Sequence, residues 1–514
     1  MSFSQGGFEF DIESPHILGT VLCDHVTILL ISISLGTHAF SCRPSQRLIL
    51  SFSSTLPSTP ISNADFDRHE IRQRQTMSGV KYLDWFDWCV FGGMLLLSSA
   101  IGVYFAFFSK KKQDTTSEYL MGGRTMPIFP ISMSLIASYI SGITLLGTPA
   151  EIYVYGSQAY MGVISDILTN ITIVIVYLPV FFKLQVTSSY ERKTPITAFE
   201  ILPRACFQML YIPIVVYVPA LAFSQVTGIN LHLISPIVCS VCIFYTSLGG
   251  LKAVVWADTL QMFLMMGGIV VVLIIGIVKV GGLGIVYDRA VETSRAEFFN
   301  TDLDPTVRHT LWNMLLGNYV YHVATMAVNQ CMVQRCLSVS SIRHAKWAMF
   351  ILTAGIFCIV TLCTLTGFVM HAYFFDCDPI KSKKISKADQ LLPYFVMETS
   401  TIMPGLPGIF LSGVFSAALS TMSTGLNSMT GVIFEDMIEP WTGGLSERAT
   451  GRVLKLVVVL IGILCVSMVF VVEQLGTLFQ MTKSGITALC TMGWISLGAQ
   501  SVISKVSSSF QQNL

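Results

Sequence analysis

From about residue 78 onward the chain alternates long apolar stretches with short polar ones, and nearly every apolar stretch can cross about 30 Å of hydrocarbon as a helix. In lipid, each satisfies its own backbone hydrogen bonds only when helical. The predicted spans are 86–108, 128–149, 159–183, 207–226, 231–248, 258–280, 310–331, 347–373, 406–434, 452–472 and 474–500, about eleven in all. Lys110, Lys111, Lys112 and Arg124 follow the first span, and Arg335, Arg343, His344 and Lys346 follow the seventh, which places both loops in the cytoplasm. Glu191-Arg192-Lys193 and the segment 448–455 fit the same alternation, with the amino end of the first span outside. Two longer loops, 281–309 and 374–405, then fall on the outer face and are expected to form a vestibule.

Residues 1–77 have a different texture, rich in Ser, Thr, Pro and His, with one apolar run from Ile17 to Phe40. Asp24 and His25 interrupt that run, and a charge near the middle of a lone span costs about 2.5 to 3.5 kcal/mol. The basic start and cleavage site of a signal peptide are not evident. The expected organisation is a poorly structured extension over 1–77, a membrane domain over 78–505 and a short tail over 506–514.

Composition sharpens this picture. Of the 514 residues 53% are hydrophobic and only 12% charged, well below the roughly 25% charged content of soluble domains. Lys+Arg of 31 against Asp+Glu of 30 provides no basic field for nucleic acid. The 13 cysteines lack paired zinc spacing, and Cys239-Ser-Val-Cys242 lies within a span, where thiols serve as small packing groups. The acceptor pattern Asn170-Ile-Thr172 also lies mid-span, away from any glycosylating surface. A Gly-x-Ser-x-Gly elbow and a metal-ligand cluster are both missing, which argues against an enzyme. The spans carry no repeated charged or carbonyl-rich filter, which argues against a channel.

Two spans carry candidate chemistry. In 406–434, Ser416, Ala417, Ser420, Thr421, Ser423, Thr424 and Asn427 recur at spacings that put most of them on one helical face. Lipid offers hydroxyls no partner, so the stripe serves either small-residue helix packing or an ion site. In 128–149, Gly142, Gly147 and Pro149 stand where a span should be most regular. They mark either a plain kink or a break whose freed carbonyls line a cation and solute site. Ionisable groups in or near spans are costly and ask for partners: Asp166 with Asn170 one turn on, Asp258, Glu435 and Lys483. Asp258 is expected to pair with Lys252 or a nearby Arg, and Lys483 to reach toward an interface.

The run Ser134-Leu-Ile-Ala137-Ser-Tyr-Ile140 through Gly147-Thr-Pro-Ala-Glu-Ile-Tyr153 resembles the sodium:solute symporter family, as does Tyr245-Thr-Ser-Leu-Gly249-Gly250-Leu-Lys252 through Trp256-Ala-Asp258-Thr-Leu-Gln261. Val328-Asn329-Gln330 with Val333-Gln334-Arg335, and Ser420-Thr421-Met-Ser-Thr-Gly-Leu-Asn427 with Glu435-Asp436, extend the likeness over about 80–500. The resemblance implies an all-α membrane protein with a leucine-transporter-like core of two inverted five-helix repeats and one preceding helix. It implies a multi-pass plasma-membrane symporter that co-transports sodium with a small organic solute. It also implies a sodium site made by the backbone oxygens of Ala137, Ile140 and Ala417 and the hydroxyls of Ser420 and Thr421, with Tyr139, Thr144, Tyr321, His322 and Thr325 as solute-lining candidates. Five neutral oxygens suit a hard monovalent cation, whereas several carboxylates would select divalent ions.

Within the family, Gly147 to Tyr153 and Tyr217-Val-Pro-Ala-Leu-Ala-Phe223 with Val226-Thr-Gly-Ile-Asn230 look most like the monocarboxylate, iodide and multivitamin branch. An anionic solute such as a monocarboxylate, biotin or pantothenate leads, with iodide or another solute of the family as the alternative. Two stretches depart from the pattern. Arg192 to Glu200 replaces the family's continuation after Ser188-Ser-Tyr-Glu191, so an irregular start is expected for the third core helix. The chain ends at Leu514, just after the tenth core helix, and Ala488 to Ile495 replaces a Gly-rich run there, so a fold truncated at that point is expected. That departure keeps a second reading open, a non-transporting member acting as sensor or regulatory partner. Nothing in the sequence sets the oligomeric state.

Overall fold

The computed structural model describes residues 83–109, 115–184, 198–228, 230–304, 307–327, 329–385, 387–400, 403–442 and 445–474. The expectations for residues 1–77, for 192–197, for Lys483, for the last predicted span and for the tail lie outside them. Among the described residues every element is helical: α1 (Trp85–Val103), α2 (Thr116–Met121), α3 (Ile128–Tyr139), α4 (Gly142–Tyr155), α5 (Gly162–Thr172), α6 (Ala198–Thr227), α7 (Leu231–Val280), α8 (Leu283–Glu292), α9 (Asn318–Met326), α10 (Gln330–Cys336), α11 (Ile342–Tyr373), α12 (Leu391–Thr399), α13 (Leu406–Val432) and α14 (Glu447–Gln474). The predicted spans through 452–472 lie on these helices and on shorter helical turns at Tyr104–Phe108, Ile173–Tyr177, Leu178–Leu184 and Asn313–Gly317, and the two long loops contain α8 and α12.

Helix α7 runs for 50 residues, which at 1.5 Å per residue is about 75 Å, more than twice the hydrocarbon thickness. It is divided at Gly250, whose φ of 54° and ψ of −152° belong to a region that glycine alone enters freely. A Cβ there would stand 2.7 Å from the Tyr119 carbonyl oxygen. The short helix α2 seals this break. Its Tyr119 is fully buried and donates its hydroxyl to the carbonyls of Thr246 and Ser247, 3.2 and 3.1 Å away, just ahead of the interruption. Lys252, just past the break, pairs with Glu118 of α2 at 2.6 Å. Lys252 is therefore not the partner of Asp258.

Helix α13 is packed by α1, α3, α4, α6, α7 and α14. Its apolar stretch is 94% buried, against 28–39% for the other long spans, so it has no face left for lipid. That burial explains how a membrane helix tolerates so many hydroxyls: each meets protein rather than hydrocarbon. The start of α13 has no side-chain cap of its own, and Gly405 precedes it at φ 86°. Asp87 of α1, only 2% exposed, supplies the missing anion by accepting the Gly408 N–H at 2.8 Å, while its other oxygen accepts from Asp84 N at 2.9 Å. Asp87→Ala is expected to lower stability by about 1 to 3 kcal/mol, the worth of a charge-assisted hydrogen bond left unmade, and Asp87→Asn by less. Thermal unfolding in detergent reads both, and an unchanged midpoint for Asp87→Ala would remove the capping role.

Candidate functional site

The site grows from an interruption in the chain. Helices α3 and α4 meet at an angle of 57° across Ile140 and Ser141. Ile140 leaves the helical region at φ −91°, ψ 100°, and its N–H makes the last bond of α3, to the Ile136 carbonyl. Ser141 then caps α4: its hydroxyl accepts from Thr144 N at 3.3 Å, and its carbonyl takes the Leu145 N–H at 3.1 Å. The carbonyls of Ala137 and Ile140 stand between these two ladders, where no helical N–H is in register to reach them. Both residues are buried, at 1% and 0% exposure.

Helix α13 lies against this junction. Ser138 Oγ is 3.1 Å from Ser420 Oγ and 3.0 Å from Thr424 Oγ1, so the last turn of α3 and the middle of α13 share one hydroxyl cluster. Ala417, Ser420 and Thr421 are all buried there, and Thr421 donates its hydroxyl proton to the Ala417 carbonyl at 3.0 Å. A donor spent in this way leaves both oxygens with lone pairs to offer. The contacts of Ser138 set the last turn of α3, which carries Ala137, against the turn of α13 that carries Ser420.

One turn away, a buried charge network ties four elements together. Asp258, in the second half of α7, accepts from Ser134 Oγ at 2.6 Å, from Thr424 Oγ1 at 3.4 Å and from Ser423 Oγ at 3.5 Å. Its counter-charge is Arg335 of α10, at 3.8 Å. Arg335 Nη1 also donates to the Ser134 carbonyl, to Ser134 Oγ at 2.9 Å and to Ser138 Oγ at 2.8 Å, and Nε donates to the Cys331 carbonyl at 3.0 Å. Arg335, counted in the sequence among cations of a cytoplasmic loop, is instead 1% exposed. It is held inside because the span that contains it does not end at 331. That helix breaks after Ala327 and restarts, with Asn329 Oδ1 accepting from Cys331 N at 2.8 Å, and α10 carries Arg335 inward.

The solute candidates divide. Tyr139, one residue before the break, donates its hydroxyl to Asp166 of α5 at 2.6 Å, and His322 of α9 sets Nδ1 against the same carboxylate oxygen. The rings of Tyr139 and His322 meet edge to face at 6.2 Å, and Tyr321 lies 5.4 Å from His322. Thr144 stays with the cap of α4, its hydroxyl 3.3 Å from Ser141 Oγ, while Thr325 turns its hydroxyl back onto the Tyr321 carbonyl at 2.8 Å.

The sequence alone does not single out Ser134 and Ser138, although steps of four and then three to Ser141 make a hydroxyl stripe like that of α13. Asp166 was marked as costly, and its partners Tyr139 and His322 are now identified. Cys239 and Cys242 are buried free thiols, and Asn170 is buried at 3% exposure, in keeping with packing and with an unmodified acceptor.

The model of the sodium:solute symporter family matches residues 119–497. The chain is 40% identical over 427 residues to sodium-coupled monocarboxylate transporter 2 of Mus musculus, covering 82% of this chain and 69% of the relative. It is 37% identical over 421 residues to sodium-coupled monocarboxylate transporter 1 of Homo sapiens, covering 80% and 68%. A putative sodium-dependent multivitamin transporter of Drosophila melanogaster is 36% identical over 425 residues, covering 80% and 70%. Among solved structures, a substrate-bound, outward-open Na+-coupled sialic acid symporter superposes with a TM-score of 0.69 at 24% identity, over 81% of this chain and 87% of that one. That likeness establishes the all-α, leucine-transporter-like fold.

Proposed function

Because the chain belongs to the sodium:solute symporter family, a family of multi-pass plasma-membrane carriers rather than enzymes, we propose that it imports a small organic anion on the sodium gradient. The solute class we favour is a monocarboxylate or a carboxylate vitamin such as biotin or pantothenate. Support comes from the relatives, whose names specify monocarboxylate and multivitamin transport. The observation that carries the mechanism is the contact of the interrupted α3–α4 helix with the hydroxyl face of α13 through Ser138, Ser420 and Thr424.

Sodium binds the carbonyls of Ala137, Ile140 and Ala417 and the hydroxyls of Ser420 and Thr421. An all-neutral shell replaces hydration water yet holds a monovalent ion weakly enough to release it. The ion bridges the α3–α4 break to α13, and the solute lies on the other side of the same break, beside Tyr139, Thr144, Tyr321, His322 and Thr325. Ligands on two sides of one hinge bias its angle together, so each favours the state that the other also favours. Asp258 and Arg335 carry no net charge as a pair and fix α3, α7, α10 and α13 one turn from the ion. The driving force includes about 2.3 kcal/mol per charge for each 100 mV of membrane potential, added to the sodium concentration gradient.

The test is uptake into cells or vesicles bearing the protein, with labelled butyrate, lactate, biotin, pantothenate, iodide and glucose, in sodium against choline. Sodium-dependent accumulation of at least one carboxylate is expected. A correctly inserted protein that accumulates none of the panel in a sodium-dependent way would favour a non-transporting sensor or partner instead.

A further inference from the structure

The Tyr139–Asp166–His322 cluster does more than line the proposed solute site. Asp166 is 7% exposed, and one of its oxygens accepts the Tyr139 hydroxyl from α3 and meets the His322 ring of α9. The imidazole's Nδ1 is buried against that oxygen without a hydrogen bond to it, the side chain keeps 19% of its surface open, and Nε2 is the ring nitrogen left for a ligand. One turn further along α5, Thr169 Oγ1 and Asn170 Oδ1 are buried without a hydrogen-bond partner. Orphaned polar atoms in a membrane interior are expensive, and three polar side chains at i, i+3 and i+4 mark a face built for something polar that passes through.

Resting on the symporter reading above, we infer that His322 is the residue that receives the solute's carboxylate, through Nε2–H, and that Asp166 is a positioning residue that fixes the ring. When the carboxylate arrives, the added negative charge is matched by the sodium ion at the neighbouring site, so anion and cation each lower the cost of the other. The link between the two sites is covalent and short. Tyr139 lies in sequence between Ala137 and Ile140, so the residue that hydrogen-bonds Asp166 is flanked by two of the carbonyls assigned to sodium. Movement of the cluster on solute binding is delivered directly to the ion's ligands.

The experiment compares uptake of labelled butyrate with that of its uncharged isostere butyramide in the full-length protein, with surface biotinylation to normalise for insertion. His322→Gln is expected to raise the KM for butyrate roughly tenfold or more, the usual loss with a charge-assisted hydrogen bond. Asp166→Asn should raise the same KM, and Asp166→Glu should recover part of the loss, which a generic packing defect would not do. The preference of the wild type for butyrate over butyramide should shrink in both impaired variants. An unchanged butyrate KM in His322→Gln, or equal losses for butyrate and butyramide, overturns the inference. Sodium-driven uptake of an uncharged solute in place of carboxylates also overturns it and leaves sodium coupling intact. Absence of sodium-driven flux for every solute defeats the reading beneath it, and the inference with it.

Discussion

Ser420→Ala combined with Thr421→Ala is expected to abolish sodium-dependent uptake in protein that still reaches the membrane. The two hydroxyls supply two of the five oxygens assigned to the ion, and a methyl group offers no lone pair in return. Alanine is the strongest helix former, and the Thr421 hydroxyl bonds only within its own helix, to the Ala417 carbonyl 3.0 Å away, so α13 should persist in both variants. Each single substitution removes one ligand, a loss of about 1 to 3 kcal/mol, which is a rise of roughly tenfold in half-saturating sodium. Uptake measured against sodium concentration, normalised to surface protein, reads this directly. A double variant with wild-type sodium dependence would place the ion elsewhere.

The largest effect on stability is expected from Arg335→Gln. Asp258 is fully buried, and Arg335 is the counter-ion that the structure gives it, at 3.8 Å. Removing one member of a buried pair strands the other charge, at a cost of about 3 to 5 kcal/mol. Arg335 also holds Ser134 and Ser138, so the last turn of α3 would lose its anchor at the same time. Asp258→Asn should destabilise for the converse reason, and Asp258→Asn with Arg335→Gln should recover much of the loss because no bare charge remains. Detergent-solubilised yield and thermal midpoint for the four proteins form a double-mutant cycle. If the two single losses simply add, the two side chains do not act as a pair.

What could be read in advance followed from physics local to the chain. Spans were legible because a 30 Å slab imposes a length on every crossing helix. The interruption at 128–149 was legible from Gly142, Gly147 and Pro149, yet the backbone breaks at Ile140 and Ser141, because Ser141 caps α4 and Pro149 is tolerated inside it. Arg335 was misplaced because counting cations in loops assumes that a cation beyond a span is wet. Its partner Asp258 lies on a different helix, and no local pattern connects the two. Asp166 was conspicuous for its cost alone, since the groups that justify it come from α3 and α9. Ser134 and Ser138 were passed over because two serines in a row of apolar residues look like packing until α13 and Arg335 are set against them.

The enclosure of α13 separates the proposed ion site from the thickness of the surrounding membrane. Leu96, Phe107, Phe350 and Leu456 are more than half exposed on the outer helices, and they are the side chains that meet acyl tails. A bilayer too thick or too thin for the protein is accommodated by tilt of that outer ring, at fractions of a kcal/mol per Å of mismatch. Such strain reaches the hydroxyl face of α13 only after passing through another helix. Changing lipid chain length should therefore alter how fast the carrier cycles while leaving its choice of sodium over potassium in place.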